Sequence, residues 1–244
     1  MSSSMPEVLP CGDCALNVHF EEAIRPEINA QVCALAKALE ANRPEGVIEW
    51  VSAYCTLTVY YRPEQISFAE LSALLRAILP AGESSEAQER TVIELPTAYG
   101  GEYGPDLQFV AEHAGLSIDE VIRLHSAPSY LVYMMGFMPG FTYLGGLDER
   151  LHTPRLSAPR VRIPAGSVGI AGSQTGAYPV DSPGGWQLIG RTPLRLYDAR
   201  RDESILLRAG QYVKFVPISP AEFKRIEAAV RDGSYEIVVR KVVV

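Results

Sequence analysis

Three polar side chains in the middle of the chain have the types and setting to do chemistry: His125, Arg155 and Gln174. Histidine titrates near neutral pH without help, which makes His125 a candidate general acid/base. It also stands at the end of a helical pattern, in Leu124-His125-Ser126, where the helix dipole suits an imidazole in a structural role. Arg155 closes the short polar segment His152-Thr153-Pro154-Arg155. Its planar fork can hold a carboxylate or phosphate in two hydrogen bonds, or anchor a loop against an acidic neighbour. Gln174 carries one acceptor and two donors, the set that reads a carboxamide or lactam; a satisfied turn is the alternative. Ser167 has no nucleophile elbow around it and reads as a hydroxyl contact within a main-chain cradle. Thr175, Tyr143, Tyr178 and Trp186 stand nearby as candidate substrate contacts, with Gly140 in a turn that shapes the site. The aromatic residues, Phe137 and Phe141 included, read as core or pocket wall. No metal site is expected. Cys11-Gly12-Asp13-Cys14 has a pair's spacing but no further ligands, and reads as a turn ahead of the first strand.

These residues sit in or near an unusual stretch. Eleven of the twenty glycines fall in the 55 residues from Gly136 to Gly190. Glycine tolerates positive φ and close backbone approach, so the stretch suits tightly turned β-structure with a pocket lined partly by main chain. Five motifs follow in order: GFMPGFTYLG, HTPR, PAGSVGIAG, QTGAYP and PGGWQLIG. Together they resemble the allophanate hydrolase subunit 1 family, which includes KipI-type proteins and the B subunit of prokaryotic 5-oxoprolinase. The resemblance is strongest from Val92 to Pro217.

The resemblance implies one member of an ATP-dependent complex that opens 5-oxoproline to glutamate, with ATP and Mg2+ bound with or by partner subunits. The implied partners are a C-type (KipA-like) protein and an A-type (LamB/YcsF-like) protein of the same complex. On this reading His125, Arg155 and Gln174 are catalytic, and Gly140, Tyr143, Ser167, Thr175, Tyr178 and Trp186 bind substrate. Two other branches are also implied. One is KipI-type inhibition of a sensor histidine kinase, and the other a subunit of an allophanate hydrolase or urea carboxylase-like enzyme.

Composition narrows the field. A formal charge of −7 leaves no basic surplus to attract phosphate, which argues against nucleic acid or an anionic membrane surface as partner. No apolar run reaches the ~20 residues that span a bilayer. The first residues lack the basic and apolar regions of a secretory signal, so a cytoplasmic location is expected. There is no phosphate-binding loop, no dinucleotide fingerprint, no HExxH and no biotin-attachment motif.

Two domains are expected to position the site, 1–90 and 91–244, joined at Gly82–Arg90. Before the joint the patterns spell βαββαβ, an order that suits a ferredoxin-like α+β unit, with Val92–Leu95 either closing it or opening the next domain. Its helices are marked by Ile28, Val32, Leu35 and Leu39, and by the capping box Ser67–Glu70. Beyond the joint come helical patterns at Asp106–Ala114 and Ile118–Ser126, and a buried strand at Tyr130–Met135. Strands are then expected through Leu194–Tyr197, Ile205–Leu207 and Tyr212–Val216. Short strands with frequent turns suit a compact barrel; the family resemblance implies a cyclophilin-like one. A helix follows Ser219-Pro220, and the apolar tail Tyr235–Val244 needs an edge to dock on.

Overall fold

The computed structural model describes residues 6–79 and 89–243, which fall into two compact units on either side of residues 80–88. The expected joint, up to residue 88, lies outside the described residues.

The first unit holds strands β1 (Glu7–Pro10) and β2 (Ala15–His19), helix α1 (Pro26–Ala41), strands β3 (Val47–Ser52) and β4 (Thr56–Tyr61), and helix α2 (Phe68–Ile78). The sheet order is β1-β2-β4-β3, antiparallel throughout. Period-2 alternation buries Leu57, Val59 and Tyr61 of β4, and helical spacing buries Ile28, Val32, Leu35 and Leu39 of α1 against them. The Ser67–Glu70 capping box forms, satisfying donors at both ends of the box.

The expected βαββαβ set is not completed here. Val92–Leu95 belongs to the other unit, and the edge beside β2 is taken by β1, which pairs along its whole length. Only Val8 of its four residues is buried, so no alternation long enough to read was present. Cys11–Cys14 is the connection of the β1–β2 hairpin, closed by the Cys11 N–H on the Ala15 carbonyl at 2.9 Å; both thiols are exposed.

The second unit is built around a closed barrel. It comprises β5 (Glu89–Tyr99), α3 (Leu107–Ala114), α4 (Ile118–Ser126), β6 (Tyr130–Met135), β7 (Thr142–Gly145), β8 (Arg160–Ile163), β9 (Ser167–Ala171), β10 (Gln174–Ala177), β11 (Ser182–Gly184), β12 (Gln187–Arg191), β13 (Tyr212–Pro217), α5 (Pro220–Asp232) and β14 (Val239–Val243). The strands run β12-β9-β10-β7-β6-β13-β5, and β5 returns to β12 through Gly190↔Tyr99 and Arg191↔Ala98. Seven strands therefore close on themselves and leave no edge in the ring. The interior is filled by residues such as Leu95, Tyr130, Val132, Leu144, Ile170 and Phe215, and α3 and α4 pack Val110, Val121 and Leu124 into the same core.

The tail docks on its own sheet. β14 lies antiparallel along β5, and Arg240 pairs with Glu94. The strand starts at Val239 rather than Tyr235, and Val244 is outside the described residues. The strands expected at Leu194–Tyr197 and Ile205–Leu207 do not form; a lone Tyr197↔Ile205 bridge stands there. Pro193 and the charged turn that follows break the ladder, while Leu194, Leu196 and Leu207 reach the core from irregular chain. Among the described residues no helix is long and apolar enough to cross a membrane.

Closure rests on a missing side chain. A Cβ on Gly190 would stand 2.8 Å from the Ala98 carbonyl oxygen and 2.9 Å from the Thr97 methyl. Gly190→Ala must therefore push β12 off β5. The expected cost is about 1–3 kcal/mol, as for other overpacked sites, with Tm falling by roughly 2–4 °C for each kcal/mol. Calorimetry measures this; an unchanged Tm would mean that β5 and β12 do not need this close approach.

Candidate functional site

The barrel wall separates the sequence-predicted residues into an inside group and an outside group. On β10, Thr175 points inward, while Gly176 sits beneath the Trp186 ring on the outer side. The sequence does this by simple alternation.

His125, in the last turn of α4, is wholly buried. Its Nδ1 is 2.8 Å from the Tyr99 hydroxyl and its Nε2 2.7 Å from the Thr175 hydroxyl. Thr175 Oγ1 donates to the Gly169 carbonyl at 3.1 Å. A hydroxyl has one proton to give, so Oγ1 accepts from an Nε2–H, and Nδ1 accepts from Tyr99. That assigns the neutral Nε2–H tautomer. Burial pushes the imidazole down to about 3 and the Tyr99 phenol well above its ordinary range. The Tyr130 hydroxyl also donates to the His125 carbonyl at 2.7 Å. This chain ties α4, β5, β6, β9 and β10 together. As the structure stands, the ring is a neutral cross-brace with both nitrogens engaged.

The outside group is aromatic. Phe141 meets Tyr143, Tyr178 and Trp186 edge-to-face at centroid distances of 5.2, 5.7 and 5.6 Å, and Tyr178 meets Trp186 at 6.0 Å. Ile163, from the small ribbon formed by β8 and β11, packs into the cluster. Burial raises the Tyr178 phenol to about 12, partly offset by the nearby Arg155 and Arg160 guanidiniums. Arg155 itself is exposed and forms no ion pair among the described residues. The backbone around it is fixed: Thr153 exchanges two main-chain bonds with Gly172, Pro154 accepts from the Gln187 amide at 3.0 Å, and the Leu156 N–H reaches Gly185 at 2.7 Å. Gln174, half-buried, pairs with Ala171, a member of the aromatic cluster. A fixed backbone, a solvent-facing guanidinium and a carboxamide beside an aromatic wall can hold a small, planar, anionic amide.

Phe137 departs from the core or pocket-wall role expected of it. It is 68% exposed, sits at φ 64°, and touches the cluster only by its edge on Phe141 at 5.6 Å. Left-handed backbone at a residue with a Cβ costs roughly 1–2 kcal/mol. The loop that imposes it is pinned by Met138 N–H to the Gly136 carbonyl and Phe141 N–H to the Met138 carbonyl, at 2.7 and 3.0 Å.

The structure thus brings Arg155, Tyr143, Tyr178 and Trp186 together, with Gln174 on the adjoining hairpin. It buries His125 and Thr175 inside the barrel. Gly140 lies against Pro179, Leu196 and Tyr197 instead, and buried Ser167 pairs its main chain with Arg191. Two residues escaped the sequence reading. Tyr99 was hidden at the end of a long strand. Asp106 reads as a helix start, yet its carboxylate does not cap α3: it holds Arg160 at 2.7 Å and the Leu188 N–H at 2.6 Å. Arg160 in turn reaches the Trp186 carbonyl at 3.3 Å, so this pair fixes the aromatic cluster's far side. Among the described residues no group of three or more His, Cys, Asp or Glu side chains is placed to hold a metal ion.

Comparison with known proteins agrees with this architecture. The family described as carboxyltransferase domain, subdomain C and D, matches residues 6–207. A relative from Bacillus subtilis (strain 168), the B subunit of 5-oxoprolinase, is 46% identical over 222 residues, covering 87% of this chain and 92% of the relative. The solved TTHA0988 structure is 40% identical with a TM-score of 0.75, over 84% of this chain; the match spans only 40% of that longer chain. The solved urea amidolyase of K. lactis, at 20% identity and a TM-score of 0.79, covers 98% of this chain and 16% of its own, and shares the fold.

The geometry around His125 makes a direct prediction. Of the four histidines, His125 should keep the nitrogen-15 signature of a neutral Nε2–H ring from about pH 8 to about pH 5. Because its folded pKa lies below the unfolded value, its contribution to stability is complete above about pH 6.5 and is lost progressively as pH falls toward 3. An imidazole titrating with a midpoint near 6.5 would show that the ring meets water.

Proposed function

The chain belongs to the carboxyltransferase domain, subdomain C and D family, and from that premise we propose that it is the B subunit of a 5-oxoprolinase, a cytosolic complex that opens 5-oxoproline to glutamate with ATP. The observation that carries this reading is the 46% identity to the Bacillus subtilis relative of that name, over 92% of its length. The urea carboxylase and urea amidolyase relatives match at 22–29% identity over 8–13% of their own length.

The outer site suits the substrate. 5-Oxoproline carries a carboxylate, a planar lactam and two ring methylenes that bear no polar group. Arg155 can take the carboxylate in two bonds, Gln174 can meet the lactam N–H and C=O together, and half-buried Tyr143, at the edge of the aromatic cluster, can cover the ring. His125 then acts as a positioning residue: through Thr175 it fixes the strand on which Gln174 stands. ATP would supply the phosphoryl group that, placed on the lactam oxygen, activates the carbonyl carbon so that water can add and the ring C–N bond can break. This chain's own groups that fit such an anion are the guanidiniums of Arg191 and Arg231, and Mg2+ would arrive with the nucleotide. C-type and A-type partner proteins complete the enzyme.

The chain alone should turn over 5-oxoproline negligibly, and activity should return on adding the C-type and A-type partners. In that complex, Arg155→Ala and Gln174→Ala should each lower kcat/KM at least tenfold, about 1.4 kcal/mol of transition-state stabilisation. Arg155 is exposed and Gln174 half-buried, so Tm should barely move. Activity lost only in proportion to folded protein would make both residues structural. Full turnover by the purified chain alone would overturn the reading of it as one part of a larger enzyme.

A further inference from the structure

A concavity lies on the other side of Gly140 and Pro179 from the aromatic cluster. It is a cleft of about 540 Å³ between the turn at Ala165, the segment from Arg191 to Tyr197, and one side of α5. Three guanidiniums line it: Arg191, Arg195 and Arg231. Its apolar wall includes Val180, Leu194 and Phe223. Such a volume lies within the range of about 300–1,000 Å³ typical of small-molecule sites.

The charges in the cleft do not cancel. Asp181 is already committed, to Arg162 at 2.6 Å and to the Ala165 N–H at 2.8 Å. Arg195 and Arg200 share the single carboxylate of Asp198, so that group keeps a surplus positive charge. Arg191 spends its Nε on the Ala165 carbonyl at 2.9 Å and helps hold the nearby Asp181 carboxyl below its usual range; among the described residues its terminal nitrogens have no hydrogen-bond acceptor. Arg231 forms no ion pair among the described residues, and neither does Glu227, the one acidic side chain of the lining without a partner. With Arg195 paired to Asp198 and Asp181 shared between Arg162 and Arg191, the guanidiniums of Arg191 and Arg231 are left facing the single carboxylate of Glu227 across the cleft.

The floor is also built rather than accidental. Gly166 sits at φ 82°, and a Cβ there would lie 2.3 Å from the Thr192 carbonyl oxygen. Its N–H donates to Tyr178 at 2.7 Å, and its carbonyl accepts from Thr192 at 2.9 Å. The Pro-Ala-Gly-Ser motif, which the outer site does not use, is thereby clamped to the arginine-bearing segment. Donors held in place lose little entropy when an anion arrives.

We propose that this cleft binds the polyphosphate of a nucleotide, with Arg191 and Arg231 on the phosphates and the half-buried Tyr197 against the base. The assignment of ATP as that nucleotide rests on the 5-oxoprolinase reading; the anion site rests on the cleft itself. It places nucleotide binding on this chain without any glycine-lysine phosphate loop.

Calorimetric titration of the full-length chain with Mg-ATP tests it, with tripolyphosphate and adenosine as separate probes. Saturable ATP binding with Kd of about 1 mM or tighter is expected, weakened at least tenfold by Arg231→Gln and by Arg191→Gln. Arg231 is exposed, so its variant should fold even if loss of the Arg191 contact to Ala165 does not permit the other. Tripolyphosphate should compete with ATP, and adenosine alone should bind weakly. Absence of binding, or binding unchanged in Arg231→Gln, overturns the proposal. The outcomes separate the two readings. A chain that binds no ATP within a complex that still opens 5-oxoproline sinks the cleft alone. A chain that binds ATP through these arginines within a reconstituted complex that never turns over 5-oxoproline sinks the substrate assignment alone.

Discussion

Closure of the barrel between β5 and β12 is the constraint on which the rest of the second unit depends. Once Gly190 lets the two strands meet, every strand of the ring has an inside and an outside. Alternation then sorts the side chains without further instruction. Thr175 falls inside and meets His125; Gly176 falls outside and receives Trp186. An open sheet with the same sequence could place neither group reliably, because a one-residue slip exchanges the two faces.

The inward face carries an uncommon cargo for a small barrel, a polar chain running Tyr99–His125–Thr175–Gly169. Each buried polar atom in it has a partner, and that is what makes the arrangement tolerable: a buried donor or acceptor left unmet costs about 1–3 kcal/mol. The chain also decides the protonation state. A protonated ring would need an acceptor at Nδ1, where the Tyr99 hydroxyl already donates, and burial removes the water that would otherwise help. Hence the direction of the imidazole shift and the stability that it links to pH share one cause. The helix-terminal position of His125, which on charge alone favours imidazolium, is outweighed by desolvation.

Much of this was legible in the sequence. The helices follow from local signals: α1 from apolar spacing alone, and α2, α4 and α5 from apolar spacing with a serine cap. β1 was not legible, because four residues with one buried side chain carry no period. Nor was the loss of strands after Pro193, where buried leucines imitate a strand while the backbone bonds go elsewhere. For the site, residue type was informative and convergence was not. Arg155, Tyr178 and Trp186 meet because HTPR is stitched to Gly172 and Gln187, contacts that span sequence gaps no local pattern encodes. His125 was visible as a titratable group, but its burial depends on Tyr99 and Thr175, which approach from other strands.

The outer aromatic site and the arginine cleft are neighbours through a single peptide bond. Gly140 has room for no Cβ beyond tight contact with Pro179 and Tyr197, both of which line the cleft. Phe141, the next residue, is the hub of the aromatic cluster. Pro179 and Tyr178 repeat the arrangement from the other strand, one residue to each place. Packed interiors transmit displacement because they have no free volume in which to absorb it. The Pro179–Tyr197 side of the cleft is packed directly behind Phe141 and Tyr178, and Phe137 sits at φ 64° in the same loop. The two proposed binding places are thus built on shared, close-packed residues, although neither contributes a side chain to the other's chemistry.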